Sequence, residues 1–254
     1  MILDEFVLKG KVALVTGGGT GIGSGFTRGL AEAGADIACV YSRHEPTEMQ
    51  QYVESLGCQF LPIKADVSKM EELPRVMEQV LERFGHLDIL VNNAGICPRA
   101  PAMDYTEEMW DSVIQLNQKA VFFLSQLAAK QFVKQGTGGK IINMASMLSF
   151  LGGFNTTAYT ASKHAVMGLT RVMASEWGSL GINVNAVAPG WIKTNLSAPL
   201  VADPERYNSV KARIPQGDWG EPNVFKGVAV LLASEAGNYI NGATIPVDGG
   251  YLTK

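Results

Sequence analysis

The chain has 254 residues, of which 46% are hydrophobic and 18% charged, a balance that excludes a disordered polypeptide. Twenty-four acidic against 21 basic residues leave a formal net charge of −3, which offers no electrostatic footprint for nucleic acid or an anionic membrane. The length is near the ~250–300 residues at which one core stops growing, so a single domain over 1–254 is expected.

Residues 12–15 are a short apolar run closed by glycines, the pattern of a strand buried on both faces. A helix is predicted over 22–33, ended by Gly34, and then a strand over 36–41. A strand over 59–65 and a helix over 69–84 follow, then a strand over 87–92 and a helix over 106–135. The remaining strands are read at 141–145, 182–188 and 243–247, with helices over 158–178 and 223–233. Short strands alternating with helices imply right-handed crossovers and a parallel sheet. The fold class is therefore α/β, a doubly wound seven-stranded parallel sheet.

One stretch breaks the rhythm. Residues 190–222 hold Pro199, Pro204, Pro215 and Pro222 without a clear strand, and read as a flap of short helices over a substrate site. The acidic opening does not resemble a signal peptide, and no apolar run approaches the ~20 residues of a membrane span. The three cysteines and three histidines do not cluster, so neither a disulfide scaffold nor a metal site is expected. A cytoplasmic location is expected.

Glycine is over-represented: 28 residues, about 11% against a usual ~7%. Several sit in Thr16-Gly-Gly-Gly-Thr-Gly-Ile-Gly23, between the first strand and the first helix. There Gly17, Thr20, Gly21 and Ile22 would cradle a pyrophosphate against a helix N-terminus. The common G-x-G-x-x-G spacing is absent; glycines recur here as G-x-x-x-G-x-G. After the second strand, Tyr41-Ser42-Arg43 carries no acid until Glu45. Ser42 and Arg43 suit the 2′-phosphate of NADP or form an ordinary solvated loop, so NAD and NADP both stay open, with a lean to NADP.

Tyr159 and Lys163 are four apart in a helical segment and so share a face, while Ser146 follows the strand at 141–145. A lysine ammonium near a phenol favours phenolate and should draw the tyrosine below its usual ~10, making it a general acid/base. Ser146 would hold the reacting carbonyl oxygen beside it.

In order and spacing, the glycine motif, Asn92-Asn93-Ala94-Gly95, Ser146, Tyr159-x-x-x-Lys163 and Pro189-Gly190 resemble the short-chain dehydrogenase/reductase family along essentially the whole chain. The resemblance implies a Rossmann-like homotetramer that transfers hydride between NAD(P) and a carbonyl or alcohol. It implies Tyr159 as acid/base and Lys163 as both its partner and a ribose ligand. Asn117 would anchor a water of the proton relay, and Asp66-Val67 would meet adenine. Asn93, Ala94 and Gly95 would support the cofactor, with Asn92 structural. Pro189, Gly190, Ile192 and Thr194 would line the nicotinamide and pyrophosphate, and the 247–251 segment would lie near subunit contacts.

Within that family, Met1-Ile-Leu-Asp-x-Phe6, Ala145-Ser-Met-Leu-Ser-Phe150 and Arg213-Ile-Pro-x-Gly-x-Trp-Gly220 resemble members acting on keto-deoxy sugar acids. The polar Tyr41-Ser-Arg-His44 departs from that group. A carboxylated small-molecule substrate needs a cation. Arg99 is the first candidate, with Arg213 behind it, and Asn155 is a candidate for a sugar hydroxyl. A broader carbonyl reductase and a catalytically silent nucleotide sensor are the competing readings.

Overall fold

The computed structural model describes residues 1–253. All seven expected strands form: β1 (Val12–Thr16), β2 (Asp36–Tyr41), β3 (Phe60–Lys64), β4 (Ile89–Asn92), β5 (Gly139–Met144), β6 (Ile182–Pro189) and β7 (Thr244–Val247). They pair in parallel in the order β3-β2-β1-β4-β5-β6-β7. The helices are α1 (Gly21–Glu32), α2 (Thr47–Ser55), α3 (Leu73–Phe84), α4 (Glu107–Ile114), α5 (Val121–Gln135), α6 (Thr157–Trp177), α7 (Ala198–Val201), α8 (Pro204–Lys211) and α9 (Lys226–Ala233).

The apolar runs become strands because helices cover both faces of the sheet. Ala13, Val15, Ile37, Cys39 and Val91 pack on one face against Phe26 and Leu30 of α1, Val53 of α2 and Leu232 of α9. Their neighbours Val12, Leu14, Ala38, Val40 and Leu90 point oppositely, against Val76 and Val80 of α3, Phe132 of α5 and Met173 of α6. This period-2 division yields the Rossmann-like α/β fold. Strand order reverses at β1 and β4, so their carboxyl ends open a crevice.

Three elements differ from the sequence expectation. Helix α2 went unpredicted because only Met49 and Val53 are buried on it, too short an apolar stripe to register. The helix expected over 106–135 is interrupted by a π-helical stretch, Gln115–Ala120, which carries Asn117 into full burial. The start of the last helix is a separate 3₁₀ turn, Pro222–Phe225, ahead of α9.

The proline-bearing stretch folds as α7 and α8, and Ile192 bridges in parallel to Gly220. Pro204 opens α8, where a missing N–H leaves no helical bond unmade, and the Asp203 carboxylate caps the amides of Glu205 and Arg206. Met147, Val210, Ile214, Trp219 and Tyr251 give this region an apolar cluster of its own. Its far end is pressed onto α1: a Cβ at Gly25 would land on the Pro222 carbonyl, and one at Gly29 would stand 2.8 Å from the Lys226 backbone. Among the described residues, no helix is long and apolar enough to cross a membrane.

Candidate active site

The crevice begins at the β1–α1 loop. The Thr16 hydroxyl, at the end of β1, accepts the amides of Asn93 and Ala94 at 3.0 Å each. In return Asn93 Nδ2 donates to the carbonyls of Thr16 (2.9 Å) and Gly17 (3.1 Å), tying the loop to the end of β4. Gly17 and Gly21 adopt φ of 64° and 52°, the left-handed region that excludes most side chains. A Cβ at Gly23 would fall on the Gly17 carbonyl, which explains the tight turn. The N-cap residue Thr20 makes no side-chain cap, so the amides opening α1 keep their donors and positive potential for a phosphate. A Cβ at Gly21 would approach Thr194 to 3.6 Å, closing the space between α1 and the segment after β6. This donor-rich cradle fits a dinucleotide.

Farther along, the Asp66 carboxylate accepts the Ser68 amide (3.1 Å) and hydroxyl (2.7 Å) beside the buried Val67. Ser42 and Arg43 stand exposed just past β2. Arg43 has no ion-pair partner among the described residues.

At the reacting end, Ser146 follows β5 and caps the 3₁₀ turn Met147–Ser149, accepting the Leu148 amide at 3.1 Å. The Ser149 hydroxyl donates to the Lys163 carbonyl at 2.7 Å, binding this turn to α6. Lys163 is 4% exposed; its Nζ donates to the Met144 carbonyl at 2.6 Å and lies 5.4 Å from the Tyr159 ring centre. Burial pulls the Lys163 ammonium down to about 8.

Burial also pushes the Tyr159 phenol up to about 12, assisted by the Cys97 thiol; the Ser146 side chain and the charge of Arg99 oppose the rise. This corrects the expectation that Lys163 draws the phenol down. The desolvation that penalises phenolate outweighs the attractions around it, and the Lys163 Nζ is engaged by a backbone carbonyl.

Asn117 is fully buried. Its Oδ1 accepts the Ile96 amide and its Nδ2 donates to the Ile96 carbonyl, both at 2.9 Å. The amide thus pins the loop carrying Gly95 and Cys97, and it reaches α6 through Ser162 Oγ at 3.4 Å. Asn92 donates to Ser125 Oγ (2.9 Å) and Asn143 Oδ1 (2.8 Å) inside the sheet, which is a structural placement.

A cavity of about 260 Å³ joins these parts, running from Ile22 at the start of α1, past Pro189, Gly190, Ile192 and Thr194, to Ser146 and Tyr159. Arg99 and Arg213 line it, and so does Arg206 of α8, which sequence reasoning missed. Only its place in the proline-bearing stretch could have signalled it. Asn155 is not among the lining residues. It occupies a left-handed turn at φ 58° and accepts the Ala100 amide through its carbonyl, so its contribution is to the loop rather than to the cavity wall. Cys97 lines the cavity with its thiol held high by burial, as expected of an unactivated cysteine.

Residues 17–252 match the family model described as enoyl-(acyl carrier protein) reductase. The chain is 52% identical over 254 residues to the 2-dehydro-3-deoxy-D-gluconate 5-dehydrogenase of Escherichia coli, covering 100% of both chains. A structure from Agrobacterium tumefaciens with bound NADP, assigned as a 2-deoxy-D-gluconate 3-dehydrogenase, superposes with a TM-score of 0.90 at 42% identity, covering 99% of this chain and 100% of that one. A gluconate 5-dehydrogenase from Burkholderia cenocepacia in complex with NADP and tartrate gives 0.94 at 36% identity, covering 100% of both. With the parallel sheet, the glycine cradle and this whole-length similarity together, the chain belongs to the short-chain dehydrogenase/reductase family of NAD(P)-dependent oxidoreductases.

Proposed function

We propose that this protein interconverts a keto and a hydroxyl group on a deoxy sugar acid of the gluconate series. The observation that carries the reading is one cavity in which Ser146 and Tyr159 face three arginines and no acidic side chain. The relatives named for deoxy-gluconate and gluconate oxidation support the same substrate class.

Bound NAD(P) supplies or accepts the hydride. Ser146 hydrogen-bonds the substrate oxygen and holds it beside the Tyr159 phenol. In reduction the phenol gives its proton to that oxygen as the carbonyl carbon becomes a carbinol. With its proton affinity raised, Tyr159 is protonated at neutral pH, the form that reduction requires. The Lys163 ammonium, 5.4 Å from the ring centre, stabilises the phenolate left behind. Asn117 holds the Ile96 backbone and thereby the loop that carries Cys97 and Arg99.

Gly17, Thr20, Gly21 and Ile22 would hold the pyrophosphate, with Thr194 opposite. Asp66 and Val67 would meet the adenine, and Asn93, Ala94 and Gly95 would back the ribose side. Pro189, Gly190 and Ile192 would line the nicotinamide. Ser42 and Arg43, exposed beyond β2, would receive a 2′-phosphate, which favours NADP. Residues 190–222 act as the flap of a single domain. Val133 of α5, Val172 of α6 and Leu180 are 51%, 46% and 49% exposed, an apolar face that suits a homotetramer; light scattering tests it.

The decisive experiment pairs NAD and NADP with deoxy-gluconates, gluconate, a neutral sugar and a ketoacyl ester, followed by nicotinamide absorbance. Turnover of the sugar acids is expected. Turnover confined to neutral sugars or ketoacyl esters would replace this reading with a broader carbonyl reductase.

A further inference from the structure

The three arginines of the cavity are not equivalent. Among the described residues none of them has an ion-pair partner, although the flap carries acids. Two of those acids serve lysines instead: Glu221 meets Lys193 at 3.1 Å, and Asp218 meets Lys211 at 3.6 Å, while Asp203 caps α8. Asp218 also accepts the Tyr207 hydroxyl at 2.6 Å. The flap thus neutralises its lysines and leaves Arg206 and Arg213 uncompensated toward the cavity.

The flap arginines sit on an organised support. Arg206 occupies the capped first turn of α8, and Arg213 lies with its guanidinium 4.6 Å from the Tyr251 ring centre. Tyr207, next to Arg206, stacks on Trp219 at 5.5 Å, and Trp219 packs on Trp191 at 5.0 Å. Holding the planar Arg213 guanidinium against the Tyr251 ring beforehand reduces the ordering cost of gripping an anion.

Arg99 has a different position. It lies on the cavity wall two residues after Cys97, on the loop that Asn117 pins through Ile96 beside α6, the helix of Tyr159, which sets it at the reacting end. A carboxylate lodged there would set a negative charge beside the phenol and oppose the phenolate that proton transfer creates. A carboxylate held from the flap avoids this conflict.

Resting on the sugar-acid reading above, we propose that Arg206 and Arg213 together form the carboxylate clamp, while Arg99 attends the reacting end. Substrate charge is then read by the flap, and chemistry is confined to the opposite wall.

The test uses the full chain with Arg206→Met, Arg213→Met and Arg206→Lys. Turnover is compared for a deoxy-gluconate and an uncharged sugar alcohol, and D-gluconate binding is followed by the fluorescence of the flap tryptophans. Loss of one charge-assisted contact should lower the acid-over-neutral ratio of kcat/KM by about 10- to 100-fold in each Met variant, and weaken D-gluconate binding by a similar factor. Arg206→Lys should recover part of both. Circular dichroism identifies a variant that merely misfolds; the exposed Arg206 keeps the test open should Arg213→Met do so. If ratio and binding are unchanged in either folded Met variant, the joint clamp is wrong. If wild-type enzyme turns over no sugar acid yet loses D-gluconate binding in both variants, the clamp stands and the proposed substrate falls.

Discussion

Replacing Lys163 by Met should stabilise the protein at neutral pH. The lysine is 4% exposed, and burial lowers its ammonium from the ordinary 10.5 to about 8. At ~1.4 kcal/mol per pH unit, keeping that ammonium charged inside the fold costs ~3 kcal/mol. The sign follows from proton counting. Between pH 8 and 10.5 the unfolded chain holds the lysine proton and the folded chain has released it, so wild-type stability rises with pH across that window. Below pH 8 the full cost is present. Lys163→Met removes it, and the variant should exceed wild type by up to ~3 kcal/mol at pH 7, or about 6–12 °C in Tm for a chain of this size. The excess should shrink steadily as pH rises through 8 toward 10.5.

Tyr159 acts in a separate window. Its folded value near 12 lies above the ordinary 10, so its stabilisation is complete below pH 10 and is lost only above it. Urea unfolding of both proteins from pH 7 to 10 therefore isolates the lysine. A difference that stays constant over pH 8–10, or a variant less stable than wild type at pH 7, would refute burial of a strained ammonium at this position. The same substitution removes the cation that favours phenolate, so gained stability should accompany lost turnover.

Tyr159→Phe should lower kcat by about 10²- to 10⁴-fold while NADP binding, measured by calorimetry, stays near wild type; retained turnover would remove the phenol from the mechanism. Because the proton affinity of Tyr159 is raised, alcohol oxidation should accelerate as pH climbs toward about 12, whereas reduction should be favoured at neutral pH; pH–rate profiles in both directions check this. Gly25→Ala puts a methyl group on the Pro222 carbonyl, and forcing α1 away from it should destabilise the fold by roughly 1–3 kcal/mol in urea unfolding. Arg43→Ala should weaken NADP about 10-fold or more and NAD much less, since only NADP offers a phosphate there; equal effects on both would make Arg43 a plain loop residue.

Much of the site was legible from the chain because its chemistry is local in sequence. Tyr159 and Lys163 share a face through helical spacing alone, and Ser146 reaches the carboxyl edge because it follows a strand. The glycines at 17, 21 and 23 declare a turn that admits no Cβ. Apolar runs were long enough to mark every strand, whereas α2 was hidden because two buried residues make no visible stripe.

Burial and long-range meeting were decided only by the folded structure. The π-helical step carries Asn117 onto Ile96 and Ser162 of α6, and no local pattern announces it. Whether Tyr159 rises or falls from its ordinary value depends on how much water the fold excludes, and spacing to a lysine cannot weigh that against attraction. Arg206 looks like any surface charge until α8 folds over the cleft and places it with Arg99 and Arg213 around one cavity. Sequence periodicity reports which face of an element is apolar, and so determined the fold and set Tyr159 and Lys163 on one helix face. The dielectric around a charge and the company it keeps arise only when distant segments meet, and for this protein the tertiary structure alone decided them.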